Sequence, residues 1–140
     1  MAKTGKQIEG DIYNFLRNST LFSMISGAVY RAENRPRDSR LEDAVVRFTA
    51  GLPNQIQTGV VTINIFIPDI DPYNNGVFVE DSKRAEFLEQ HAAKWVESLS
   101  AAISCYKFKL QQTICTIADS AIKQHFIAIK LGYSYFDNDI

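Results

Sequence analysis

Two histidines and two cysteines in 140 residues leave little material for a reactive centre. His91 and His125 are not spaced as paired ligands on a helix, and Cys105 and Cys115 match no metal-binding spacing. The chain has no glycine-rich phosphate loop and no G-x-S-x-G elbow. No apolar run approaches the length of a membrane span, and the opening MAKTGKQIEG lacks the apolar segment of a secretory leader. The expectation is therefore a cytoplasmic chain with free thiols, in which the Asn18-Ser19-Thr20 sequon has no consequence. Net charge is −1, so no overall field draws the chain toward nucleic acid or a membrane surface.

What is present is an ordinary globular composition, 46% apolar and 22% charged, in a length that suits one domain over residues 1–140. Ile8, Ile12, Phe15 and Leu16 fall on one stripe and predict a helix over 4–17, with Thr4 as its cap. Leu21 to Ile25 form a short apolar turn, and residues 28–31 a brief strand. Ala44, Val46, Phe48 and Ala50 alternate with Val45, Arg47 and Thr49 as a half-buried strand, closed by residues 51–54. In the strand 59–67, Val61, Ile63, Ile65 and Ile67 form one face, and Thr62, Asn64 and Phe66 the other. Residues 68–76 are turn-rich. Ala85, Leu88, Ala92, Trp95, Val96, Leu99 and Ile103 predict an amphipathic helix over 82–103, capped by Asp81 or Ser82. Residues 106–117 and 122–136 read as a hairpin of two long strands. Adjacent Ile114 and Cys115 mark a bulge or a segment buried on both sides.

The order α-β-β-β-α-β-β with short connections predicts an α+β fold. Its sheet has four to five strands, antiparallel with a mixed sheet as the other possibility, and both helices on one face. The opposite face carries Val45, Thr49, Thr62, Asn64, Phe66, Phe126 and Ala128. It is too apolar for plain solvent and too polar for a core, which predicts partial cover by a neighbouring chain.

Candidate chemistry is sparse. His91 borders the core stripe of the long helix and His125 starts the last strand, and both read as structural. A nucleophilic Cys105 or Cys115 would need a pKa-lowering neighbour that no motif supplies. Counting from Asp69, Asp71 and Glu80 fall at calcium-loop positions 3 and 12. Tyr73 stands at position 5 and Asn74 replaces the required glycine, so a turn is the better reading. No metal, cofactor or catalytic residue is expected. The most charged stretch is "YRAENRPRDSRLEDAVVRF", residues 30–48. Its arginines are interleaved with Glu33, Asp38, Glu42 and Asp43, which cancels a phosphate-binding field and argues against specific nucleic-acid binding. Alternating signs suit a contact between copies of one chain, against the alternative of a solvated loop with weak local pairs.

This order of elements resembles the tail-terminator (tail-completion) proteins of long-tailed bacteriophages, of the lambda type. The likeness is carried by the first helix, then "GAVYRAENRPRDSRLEDAVVRF", "TGVVTINIFIPD", the helix from Ser82 to Ile103, and "KFKLQQTICTIADSAIKQHFIAIKLGYSYF". It covers nearly the whole chain. The motif "YR…RP…S…EDAVV" is similar to the version found in phages and prophages of gut Bacteroidetes. The resemblance implies a structural virion protein, not an enzyme, that forms a ring, commonly a hexamer, on the end of the tail tube. There it stops tube growth and joins the tail to the head connector. Its implied partners are itself, the tail tube protein and head–tail connector proteins, with assembly in the host cytoplasm and a final place in the virion tail or neck. Within that frame Arg35, Arg37, Asp38, Arg40, Glu42 and Asp43 are the candidate subunit interface. Thr62, Asn64 and Phe66 are candidates to face the lumen or tube. Asp69, Asp71, Tyr73, Asn74 and Asn75 form a candidate loop for the tube or connector. The alternatives are a head-completion or connector-adaptor protein of the neck and, in a different class, a small cytoplasmic enzyme.

Overall fold

In the computed structural model, which describes residues 2–103 and 105–136, two α-helices back a six-stranded mixed sheet. Helix α1 (Gly5–Arg17) begins with a reciprocal capping box. The Thr4 hydroxyl accepts the Gln7 N–H, and the Gln7 side chain accepts the Thr4 N–H. The helix buries Ile8, Ile12 and Leu16. It also buries Glu9, which is 2% exposed and accepts from Lys6, from Arg31 Nε and from the Phe48 N–H. That carboxylate pins α1 to β1 (Val29–Arg31) and β2 (Ala44–Leu52).

The centre of the sheet is β3 (Ile56–Pro68) paired antiparallel with β6 (Gln124–Phe136) along their whole lengths. Val61, Ile63, Ile65, Ile127, Ile129 and Leu131 are fully buried under the helices. Each such side chain contributes about 1.5–3 kcal/mol on removal from water. Helix α2 (Ser82–Ala102) is capped by Asp81, whose carboxylate accepts the Arg84 N–H at 3.2 Å. It lays Ala85, Leu88, Ala92, Trp95, Val96 and Leu99 against the same core. Among the described residues no helix is long and apolar enough to cross a membrane.

The sheet order is β1-β2-β3-β6-β4, and β5 also pairs with β6. Three features refine the sequence expectation. First, β1 pairs parallel to β2, with Val29 opposite Ala44, so the sheet is mixed. A parallel pair needs a crossover, and the charged segment 32–43 supplies it without a helix. Second, the expected strand 106–117 divides into β4 (Tyr106–Leu110) and β5 (Cys115–Asp119), which share one edge of β6. The interruption at 111–114 absorbs the change of phase at Ile114 and Cys115. Third, the register of β2 against β3 shifts between Phe48 and Ala50. Phe48 points to the core side, and Thr49 is left on the outer face, its hydroxyl 2.8 Å from that of Thr62. The strand then continues through Gly51 and Leu52 rather than closing there.

Candidate assembly surface

The crossover segment 32–43 folds back over one end of the outer sheet face and is held by two buried carboxylates. Asp43 is 0% exposed. It accepts from Arg35 Nε at 2.8 Å, from the Ala28 N–H at 2.9 Å and from the Ser39 hydroxyl. The Arg35 guanidinium lies 4.1 Å from the centre of the Phe66 ring and donates to Gln124 Oε1 at 3.0 Å. Gln124 in turn donates to the Ser39 carbonyl at 2.8 Å. Glu42 accepts both Nε and Nη2 of Arg84, at 2.7 and 2.8 Å, and the Ser26 N–H at 3.1 Å. The hydrogen bond that Arg84 donates to Glu42 is the main reason the Arg84 pKa is raised above its ordinary value, against some loss from burial.

The six residues singled out in this segment therefore divide. Arg35, Glu42 and Asp43 are engaged within the subunit, where they fix the path of the segment. Arg37, Asp38 and Arg40 face solvent, with Arg40 reaching the Ile122 carbonyl at 3.0 Å. Alternation of charge alone places all six on one surface, because it does not reveal which carboxylates are buried. The only available signal was the run Ala44-Val45-Val46 directly after Glu42-Asp43, which brings the acids to the edge of the core.

Thr62, Asn64 and Phe66 do lie on the outer face. Phe66 is covered by Arg35 and packs against Phe126 at 5.6 Å between ring centres. Asn64 sits in a row between Val45 and Ala128, and its Oδ1 is buried without a partner. Part of the cover that the composition of this face called for thus comes from the chain's own crossover.

Residues 69–81 form a short arm. A bridge between Ile70 and Val79 closes its base, with both N···O distances 2.9 Å. His125 Nδ1 lies 2.6 Å from Asp69 and Nε2 lies 3.5 Å from Glu80. Asp71 folds back on the turn, accepting the N–H groups of Asn75 and Gly76 at 3.0 and 2.9 Å. Asn74 and Gly76 take positive φ there, at 51° and 79°. Tyr73 stands out from the turn, 81% exposed. Asp69 and Glu80 thus share His125 as a partner, while Asp71 is taken up by the backbone of the turn. Among the described residues no group of three or more His, Cys, Asp or Glu is arranged to hold a metal ion.

The two histidines and two cysteines do not converge. Cys105 bonds through its carbonyl to the N–H of Phe136, at the far end of β6 from His125. Eleven residues of strand separate the two ends, about 36 Å. Cys115 pairs with Ala128 and so lies on the outer face, whereas His125 lies on the core side beside Ile67. His91 packs on Phe87, with 4.4 Å between ring centres. It borders a groove of about 780 Å³ between the helices, lined by Phe15, Leu21, Met24 and Trp95 but by neither His125 nor a cysteine.

No family model and no curated protein matches the chain. One solved structure that it resembles, whose designation states no function, is 12% identical over 95% of this chain and 93% of that one, with a TM-score of 0.39. A likeness at that level carries no argument about function.

Proposed function

We propose that this chain is a structural virion protein of the tail-terminator type, which assembles as a ring, a hexamer in the commonest arrangement, on the end of the tail tube and meets the head connector there. The observation that carries the reading is the anchoring of the charged crossover. Arg35, Glu42 and Asp43 hold residues 32–43 firmly from beneath, so that Arg37, Asp38 and Arg40 are displayed to solvent on a rigid segment. A fixed array of both signs suits a contact repeated between identical subunits, because little order remains to be imposed on binding. The observed order α-β-β-β-α-β-β-β, in which one strand of the expected closing hairpin is divided in two, and the separation of the histidines and cysteines among the described residues are compatible with this role.

The test is reversal of charge at Arg37 and Arg40 together. Sedimentation of the double variant should show weakened assembly, while circular dichroism shows an unchanged fold. Intact rings from the double variant remove this segment from the interface. Joining of purified tails to heads in the presence of the wild-type chain, and its loss without it, tests the terminator role itself.

A further inference from the structure

The arm of residues 69–81 carries Asp69, Asp71, Glu80 and Asp81 and no lysine or arginine. Its tip exposes Tyr73 and Val77, the latter 58% accessible. The other end of the outer sheet face has the opposite character. Arg47 and Lys130 flank Thr62 in one row, Lys109 stands opposite Gly132, and Lys107 opposite Ser134. All four cations are exposed, and among the described residues none forms an ion pair and no carboxylate shares these rows. Next to the Arg47–Thr62–Lys130 row lies a shallow groove of about 410 Å³, walled by Lys107, Lys109 and Gln111 and floored by Thr58 and Val60.

The arm and the groove are complementary in charge but cannot meet within one molecule. Val60 and the root of the arm at Pro68 are eight strand residues apart, about 27 Å. From Asp69 to its turn at Asn74 the arm reaches at most about 18 Å. It is also held at its own end of the sheet by His125 and by Lys123, whose ammonium lies 5.2 Å from the Phe78 ring centre.

We propose that the arm of one copy of this chain docks in the lysine-walled groove of a second copy. Tyr73 and Val77 lie on the floor of Thr58 and Val60, beside the Gln111 amide that covers Gly132, and the acids of the arm face Lys107, Lys109, Lys130 and Arg47. Arm and groove are different surfaces at opposite ends of one sheet, so the contact is head to tail, of the kind that closes into a ring. The inference rests on the proposed self-assembly and specifies the contact that produces it. It gives the arm a second copy, rather than the tube or connector, as its occupant.

The experiment uses the full chain and two variants. Tyr73→Ser/Val77→Ser removes the apolar tip, and Lys107→Glu/Lys109→Glu reverses the groove. All four positions are exposed, and circular dichroism with Trp95 fluorescence checks that each variant is folded. By sedimentation equilibrium the wild type should assemble, less so as salt is raised. Each variant alone should run at the 15.8 kDa of one subunit. An equimolar mixture has one intact arm and one intact groove, so it should give a species of twice that mass and nothing larger. If either variant assembles as the wild type does, or if the mixture stays monomeric, the arm-in-groove contact is overturned while the ring reading stands. A wild type that is monomeric at every concentration overturns both. A monomeric wild type that retains a short DNA duplex, when the Lys107→Glu/Lys109→Glu variant does not, assigns the groove to nucleic acid instead.

Discussion

Arg35 reaches across the outer face of the sheet to lie on the ring of Phe66, at 4.1 Å, while its Nε donates to the buried carboxylate of Asp43. One side chain thereby ties the crossover to β3 through an aromatic face and to its own last residue, at the entry to β2, through an ion pair. Asp43→Ala would leave the Arg35 Nε–H and the Ala28 N–H without their acceptor in a site closed to water. Breaking a buried pair in this way costs about 3–5 kcal/mol. Urea unfolding followed by Trp95 fluorescence should show that loss. Arg35→Met/Asp43→Ala, which removes both charges, should recover part of it. A loss below about 1 kcal/mol for Asp43→Ala would mean that the pair is solvated.

Gly27 offers a second route to the same network. A Cβ at that position would stand 2.0 Å from Asp43 Oδ1 and 2.6 Å from the Glu42 carbonyl oxygen. The carboxylate would have to leave its seat, and the Gly27 N–H would lose its 2.9 Å bond to that same carbonyl. Gly27→Ala should therefore destabilise by about 2–4 kcal/mol, a large effect for one methyl group. Its cost should not add to that of Asp43→Ala, because both act on one carboxylate. Additive losses in denaturant unfolding would separate the two sites.

Much of this fold was legible in the pattern of residues. The period-2 run Val61-Ile63-Ile65-Ile67 and the helical stripe from Ala85 to Ile103 each have one physical solution, and both helices and the central strands stand where that solution puts them. Topology was less legible. Val29-Tyr30-Arg31 looks the same whether it pairs parallel or antiparallel, and only the length of the crossover hinted at the former. The break between β4 and β5 showed as a phase slip at Ile114 and Cys115, which a bulge would explain equally well. In the candidate surface, alternating charge located the segment but not its internal order. Burial of Asp43 depends on Arg35, Phe66 and Gln124, which are brought together only by tertiary folding. The lysine-walled groove was invisible for the same reason, since Arg47, Lys107, Lys109 and Lys130 come from three strands.

Tyr106 supplies a prediction about pH. Its ring packs among Phe15, Phe108 and Tyr135, and its hydroxyl donates to Asp11 at 2.6 Å. Burial first, and then the bond to Asp11, raise its pKa far above the ordinary value of 10.0. Burial raises Tyr133 in the same direction. For Lys3, burial opposes the charge, but the hydrogen bond and field of Asp11 outweigh it, and its pKa is raised above 10.5. A group raised on folding contributes its full stability below its unfolded pKa. The contribution is lost as pH climbs toward the folded value, because the unfolded chain releases the proton first. The protein should therefore be insensitive to these groups at neutral pH and lose stability steadily above about pH 10. Tyr106→Phe keeps the ring and removes the ionisable hydroxyl. It should cost about 1 kcal/mol at pH 7, from the lost bond to Asp11. Thermal unfolding between pH 8 and 11 should then fall less steeply for Tyr106→Phe than for the wild type, with the remaining slope coming from Tyr133 and Lys3. Parallel pH profiles for the two proteins would place the alkaline sensitivity elsewhere.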